Sequence, residues 1–145
     1  MVDCKVKIHT DDDMLCIGMA PFKGHSYDAG IDLASPTTVF IDPNSSCVID
    51  TLVSVEIPNG YAGLIVPRSS MNVLDAISCT GLIDSEFTGT IKVRVYNHGE
   101  SLKTINKYAR FCQLVIFKVP KVRLVLDHVG SNEKRGSDGY GSTGR

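Results

Sequence analysis

Excess charge of either sign is missing from this chain: 15 basic residues stand against 16 acidic ones, for a formal net charge of −1. That balance supplies no long-range field for DNA, RNA or an anionic membrane. Neither nucleic acid nor a membrane is therefore expected as a partner, and any polyanion must be met by a local cluster of donors. A metal-binding pattern of Cys and His is missing too. The five cysteines (Cys4, Cys16, Cys47, Cys79, Cys112) are odd in number and include no C-x-x-C pair, and the four histidines (His9, His25, His98, His128) stand apart. A zinc site is not expected from them, and the thiols read as buried and free in a reducing compartment. No apolar run reaches the length of a membrane span, and the start MVDCKVKIHTDDD is not a secretory signal. The expectation is an intracellular protein, in cytoplasm or nucleus. There is no internal repeat, no Walker pattern G-x-x-x-x-G-K-[ST], and no G-x-G-x-x-G after a strand.

What is present fits one domain. A chain of 145 residues with 43% hydrophobic residues has room for one real core. Valine and isoleucine alternate with lysines over Cys4–His9, and further short strand-like runs recur at Met14–Ile17, Thr38–Ile41, Cys47–Ile57, Tyr61–Val66, Ser101–Ile105, Phe111–Lys118 and Lys121–Leu126. Turn formers separate them, among them Asp42-Pro43-Asn44 and Pro58-Asn59-Gly60. About ten short strands at regular spacing predict an all-β sandwich, jelly roll or related barrel. The segment MNVLDAI at 71–77 is the one helical candidate, of two turns at most. Past Leu126 the composition changes, and from Gly130 the chain reads GSNEKRGSDGYGSTGR, with Tyr140 its sole apolar residue. Such a tail cannot bury itself in its own core. It reads as a frayed terminus unless a ligand or a neighbouring subunit holds it.

The stretch Gly81–Asn97, GLIDSEFTGTIKVRVYN, organises the rest. It opens as an apolar turn holding one acid, Asp84, and continues as a strand in which Ile91, Val93 and Val95 alternate with Lys92, Arg94 and Tyr96. An Asp before a strand is ordinarily a turn former, and it is also where a general base can be fixed with little freedom. Three clusters offer donors to phosphate: Arg68-Ser69-Ser70 at a strand end, Arg110 with Gln113, and the tail, where Arg135 precedes Gly136, Gly139, Gly141, Ser142, Thr143 and Gly144. Each alone is weak. Tyr140 among glycines can stack on a planar base, and the sum suggests a nucleotide.

The ordered segments AGIDL, PRSS, GLIDSEFTG, ARFCQL and RGSDGYGSTG, spanning residues 29–145, resemble the five motifs of the homotrimeric dUTPases. The resemblance implies a β-clip or distorted jelly-roll barrel with at most one short helix. It further implies a core over residues 1–129 and a Gly-rich C-terminal arm over 130–145 that closes a neighbouring subunit's site. The implied activity is Mg²⁺-assisted hydrolysis of dUTP to dUMP and pyrophosphate. By the same resemblance Asp84 matches the carboxylate that deprotonates water, and Phe87 stands where a Tyr usually lies under the deoxyribose. Ser78 to Leu82, with Gly81 and Ile83, matches the hairpin whose backbone reads uracil. Arg68, Ser69, Ser70 and Gln113 match the phosphate-binding segments. Arg135, Ser142 and Thr143 match the grip on the γ-phosphate, with Tyr140, between Gly139 and Gly141, as the aromatic lid. Asp32 matches the acid that approaches Mg²⁺ through water.

The sequence departs from the pattern at four places. Phe87 lacks a phenol hydroxyl, Ser70 replaces a Gly, Tyr108-Ala109 replaces Gly-Asp or Gly-Glu, and the stretch from Arg68 to Asp84 is slightly short. The related dCTP deaminases carry a proton-shuttling glutamate where this chain has Arg94, and a cation cannot take that role. A dUTPase-like binding module without turnover is the other alternative. Loss of the acid or the tail would mark it, and both are present.

Overall fold

The computed structural model describes residues 4–10 and 21–130, together with Gly139 and Gly144. The strand expected at Met14–Ile17 lies outside the described residues, as do Cys16 and the tail residues Arg135, Tyr140, Gly141, Ser142 and Thr143. Among the described residues ten strands and one helix follow in order: β1 (Lys7–Thr10), β2 (Gly30–Ala34), β3 (Val39–Ile41), β4 (Ser45–Glu56), β5 (Tyr61–Pro67), α1 (Ser69–Val73), β6 (Ile77–Cys79), β7 (Gly81–Ile83), β8 (Thr90–Asn97), β9 (Lys103–Ile105) and β10 (Arg110–Lys118). They pair into two four-stranded sheets, β1-β4-β8-β6 and β2-β10-β5-β7, and a β3-β9 ribbon. Every pairing is antiparallel. The expected all-β, jelly-roll-like architecture with one short helix is what the chain adopts. No helix among the described residues is long and apolar enough to cross a membrane.

Period-two patterning explains the layering. On β8, Ile91, Val93 and Val95 are buried while Lys92, Arg94 and Tyr96 face outward. Inward residues of both sheets, such as Leu33 and Leu114 from one and Ile49 and Val53 from the other, close a single core. On β10 the alternation breaks where the register to β2 shifts between Arg110 and Cys112. That irregularity turns two successive residues, Phe111 and Cys112, into the core. Cys79 and Cys112 are buried free thiols, whereas Cys4 and Cys47 are only half-buried. Burial pushes the Cys79 thiol up to about 11 and raises Cys112 further, so both stay protonated at neutral pH.

Three expectations need correction. The helix begins at Ser69 and ends at Val73 instead of running to residue 77. It buries none of its residues, and Ile77 is drawn into β6, where it is buried opposite Asn97. Gly81–Ile83 is a strand, β7, and not a turn. Lys121–Leu126 forms no ladder among the described residues, and Val122, Leu124 and Leu126 are left exposed.

Asn97 ties the corners together. Only 1% exposed, it donates from Nδ2 to the carbonyls of Ile41 (2.9 Å), Asp42 (3.2 Å) and Ser101 (2.9 Å) and accepts the Gly99 N–H at 2.9 Å. One amide thus satisfies backbone groups from the β3–β4 turn and the loop after β8, groups that burial would otherwise strand. Replacing Asn97 by Ala is expected to cost about 1–3 kcal/mol of unfolding free energy. Urea titration should find it, with Asn59→Ala in an exposed turn as a near-neutral control.

Candidate active site

The chain changes sheets between β6 and β7 with a single residue, Thr80, in between. Ile77–Cys79 pairs with β8, and Gly81–Ile83 pairs with β5 in the opposite sheet. After β7 the backbone turns, with the Phe87 N–H donating to the Asp84 carbonyl at 3.1 Å. It then returns to the first sheet as β8. Two strands in different sheets cannot hydrogen-bond along their length, so a cleft opens between them. Leu82, Ile83 and Asp84 form one wall, Thr90, Ile91 and Lys92 the other, and Phe87 and Gly89 close its end around a cavity of about 520 Å³.

The β8 wall is braced from behind by β4. Buried Thr51 donates from Oγ1 to the Ile91 carbonyl at 2.8 Å and accepts the Val53 N–H at 3.2 Å. Next to it the Asp50 carboxylate accepts from Thr90 Oγ1 (3.1 Å) and the Leu52 N–H (3.0 Å) and lies 3.9 Å from Lys92 Nζ. The register slips between Asp50 and Ser54, and Leu52 takes a left-handed φ of 57°. Apolar walls, one aromatic ring and one carboxylate suit a flat polar ligand with a reacting group near the acid.

A second cavity, of about 460 Å³, lies at the edge of the other sheet and includes Asp32, Arg68, Arg110 and Gln113. The Arg68 guanidinium is 3.4 Å from Asp32 through Nε and donates from Nη1 to the Arg110 carbonyl at 3.4 Å. Gln113 Nε2 donates to the Pro67 carbonyl at 3.2 Å. Arg110 stacks 4.0 Å above the Phe22 ring, and Phe22 is held by paired backbone bonds with Asp32 of 3.1 and 2.7 Å. His25 and Asp28 line the same cavity and are joined by a 2.8 Å bond from the His25 N–H to Asp28 Oδ2. Two guanidiniums, Arg68 just past the end of β5 and Arg110 at the start of β10, give this cavity the chemistry to meet an anion.

The structure thus sorts the candidate residues into groups. Leu82, Ile83, Asp84 and Phe87 meet in the first cavity; Asp32, Arg68 and Gln113 meet in the second; no residue lines both. Ser69 and Ser70 open α1 and line neither. Gly81 and Ser78 also lie off the cavity walls, and the Ser78 side chain is bonded to His98 Nε2 at 2.6 Å. Gly139 has nothing within 4 Å of where a Cβ would stand. Thr90, Lys92 and Asp28 were not singled out from sequence, where they read as strand or loop polar residues with no distinguishing signal. Arg94 donates to Ser46 Oγ at 3.1 Å on the outer face of β8, away from the first cavity's walls.

Known proteins resemble this chain in sequence and in fold. A family model described as dUTPase matches residues 18–144. The deoxyuridine 5'-triphosphate nucleotidohydrolase of Escherichia phage T5 is 37% identical over 146 residues, covering 98% of this chain and 93% of that protein. Its fowlpox virus counterpart is 36% identical over 129 residues, covering 86% and 88%. Among solved structures, a mutant dUTPase of Staphylococcus bacteriophage 80alpha with dUpNHpp is similar at a TM-score of 0.83 and 26% identity, over 97% of this chain and 99% of that one.

If the second cavity is an anion site, Arg68→Ala should weaken binding of inorganic triphosphate by roughly tenfold, since a charge-assisted hydrogen bond is lost. Calorimetry on the whole protein reads this directly, and unchanged affinity would remove Arg68 from the site.

Proposed function

This chain belongs to the dUTPase family, and on that premise we propose that it is a dUTP diphosphatase in which Asp84 activates the attacking water. The observation that carries the assignment is the Asp84 carboxylate, held by the Asp84–Phe87 turn at the mouth of an apolar cleft that contains the Phe87 ring. In this reading uracil enters the cleft against the backbone of Leu82 and Ile83 and reaches past the cavity wall toward Gly81 and Ser78, while Phe87 lies under the deoxyribose. Asp84 takes a proton from water as the water oxygen bonds the α-phosphorus. The bond from that phosphorus to the bridging oxygen breaks, and pyrophosphate leaves with the electron pair.

Arg68 and Gln113, with Ser69 and Ser70 at the neighbouring backbone, hold the phosphate oxygens and offset the charge that repels the incoming water. Among the described residues no group of three or more His, Cys, Asp or Glu could cage a metal. A lone Asp32 paired loosely with Arg68 at 3.4 Å fits a hydrated ion carried in by the phosphates, held through water. When bound there, Mg²⁺ supplies further neutralisation of the triphosphate.

We further read the enzyme as a homotrimer. The base-side and phosphate-side cavities share no residue, which supports a site completed by a neighbour. Leu124 and Leu126, 92% and 106% exposed beyond the last strand, support the same view, because burying a leucine is worth about 1.5–3 kcal/mol. Residues 1–129 would then be the core and 130–145 the arm. Arg135, Ser142 and Thr143 would grip the γ-phosphate, and Tyr140, flanked by Gly139 and Gly141, would cover the base of another subunit's nucleotide. Free thiols at Cys79 and Cys112 suit an intracellular setting.

Two outcomes are expected. Pyrophosphate should appear from dUTP in the presence of Mg²⁺ and far less from UTP, dTTP or dCTP, and Asp84→Asn should lower kcat by roughly 10²–10⁴-fold. Ammonia from dCTP, or an undiminished kcat in the variant, would overturn the assignment. Sedimentation should give three times the 15.7 kDa chain mass, and a species of single-chain mass would remove the trimer.

A further inference from the structure

Two glycines near the proposed site have no conformational reason to be glycine. Among the described glycines Gly60 and Gly144 have positive φ, while Gly30 and Gly89 do not. An L-residue could adopt the backbone at either position. What it would not find is room. A Cβ at Gly89 would stand 2.9 Å from Cζ and 3.2 Å from Cε2 of Phe87. At Gly30 it would stand 2.8 Å from Cδ and 3.1 Å from Cβ of Gln113, with Oε1 nearer still. These separations are inside the roughly 3.5–4.0 Å of a favourable carbon contact.

We propose that Gly30 and Gly89 are positioning residues, each a flat seat for one substrate-facing side chain: Gly89 for the Phe87 ring beneath the sugar, Gly30 for the Gln113 amide against the phosphates. The proposal rests on the dUTP diphosphatase reading of the site. Phe87 is 43% exposed and carries no hydroxyl that could anchor it. It excludes a ribose 2'-OH by contact alone, so a shift of a few tenths of an ångström toward or away from the sugar changes selectivity. The Gln113 amide is pinned twice, by its Nε2 bond to the Pro67 carbonyl and by the bare backbone of Gly30 on β2. This leaves its second N–H to meet an anion.

Gly63 provides the contrast. A Cβ there would meet Leu114 Cδ1 at 2.6 Å, Ile57 Cδ1 at 3.0 Å and Ile83 Cβ at 3.3 Å, all within the core. Substitution at Gly63 overpacks the interior and damages the fold. At Gly89 the crowded atoms belong to a ring edge that can swing; at Gly30 the two nearest, Oε1 and Cδ, are the end of a flexible amide, and the Gln113 Cβ at 3.1 Å has to give by only a few tenths of an ångström. Alanine at these two positions therefore displaces a site side chain and leaves the fold standing.

Double-mutant cycles on the full chain test the idea: Gly89→Ala with and without Phe87→Ala, and Gly30→Ala with and without Gln113→Ala. The readouts are kcat and KM for dUTP and UTP, calorimetric affinity for a non-hydrolysable dUTP analogue, and melting temperature. Gly89→Ala is expected to cut the dUTP-over-UTP ratio of kcat/KM by about tenfold, and Gly30→Ala to raise the KM for dUTP by about tenfold, each effect vanishing once its partner side chain is gone. Melting temperatures should stay close to wild type. An effect that persists in the partner-deleted background, no effect at all, or a collapse of melting temperature would overturn the proposal. If wild-type protein binds the analogue but releases no pyrophosphate, the activity reading fails, while the cycles are still decided by analogue affinity.

Discussion

One covalent constraint shapes the functional end of this molecule: a single residue, Thr80, carries the chain from one sheet to the other. A peptide unit spans less than 4 Å, so the two sheets must approach closely there, while ~10 Å separates packed sheets elsewhere. The strands on either side of Thr80 therefore diverge, and the hairpin that follows straddles the gap. Everything placed in the first cavity depends on that splaying. Asp84 directly follows Ile83, the last residue that β5 holds, which gives the carboxylate a rigid base on one side and open space on the other. Thr51 and Asp50 do the equivalent work on the far wall by fixing Ile91 and Thr90 from β4.

The cavity of Asp32, Arg68, Arg110 and Gln113 is built on another logic. Before any ligand arrives, Arg68 leans on Asp32, Arg110 lies on the Phe22 ring and Gln113 is tied to Pro67. Each interaction is weak enough to exchange. An ion pair at 3.4 Å between partly exposed side chains contributes little to stability, because solvent screens it and both side chains give up rotamer freedom. What these contacts do is hold charged groups in place, so that less ordering is required when a polyanion binds. A chain with a net charge of −1 needs such local preparation, having no global field to offer.

Much of this was legible in the sequence. Alternation on β8, and on β4 from Ile49 onward, reported the buried faces correctly because each run is long enough to show period two and has one face on the core, whereas β10 breaks the pattern at Phe111 and Cys112. Strand β7 was read as a turn because three residues cannot display a period, and its partner β5 is distant in sequence. The helix was placed too late because Met71, Val73 and Leu74 look like a helical face, yet Val73 and Leu74 are exposed and pairing with Asn97 claims Ile77 for a strand. Asp84, Phe87, Arg68 and Gln113 could be found from motif order. Thr90 and Lys92 could not, since what brings them to the cleft is the divergence of two sheets, a property of tertiary packing that no local pattern encodes.

The segment at 121–126 explains itself by the same reasoning. Its valines and leucines have the composition of a strand, and the prediction of a strand there failed only in the sense that none of its own chain's described edges receives it. A run with Val122, Leu124, Val125 and Leu126 exposed is costly to leave in water. A single chain therefore satisfies neither the strand propensity of this segment nor its burial. The mismatch between a sequence that asks to be buried and a fold that leaves it outside is what the proposed trimer would resolve, by supplying a neighbour's surface to this segment.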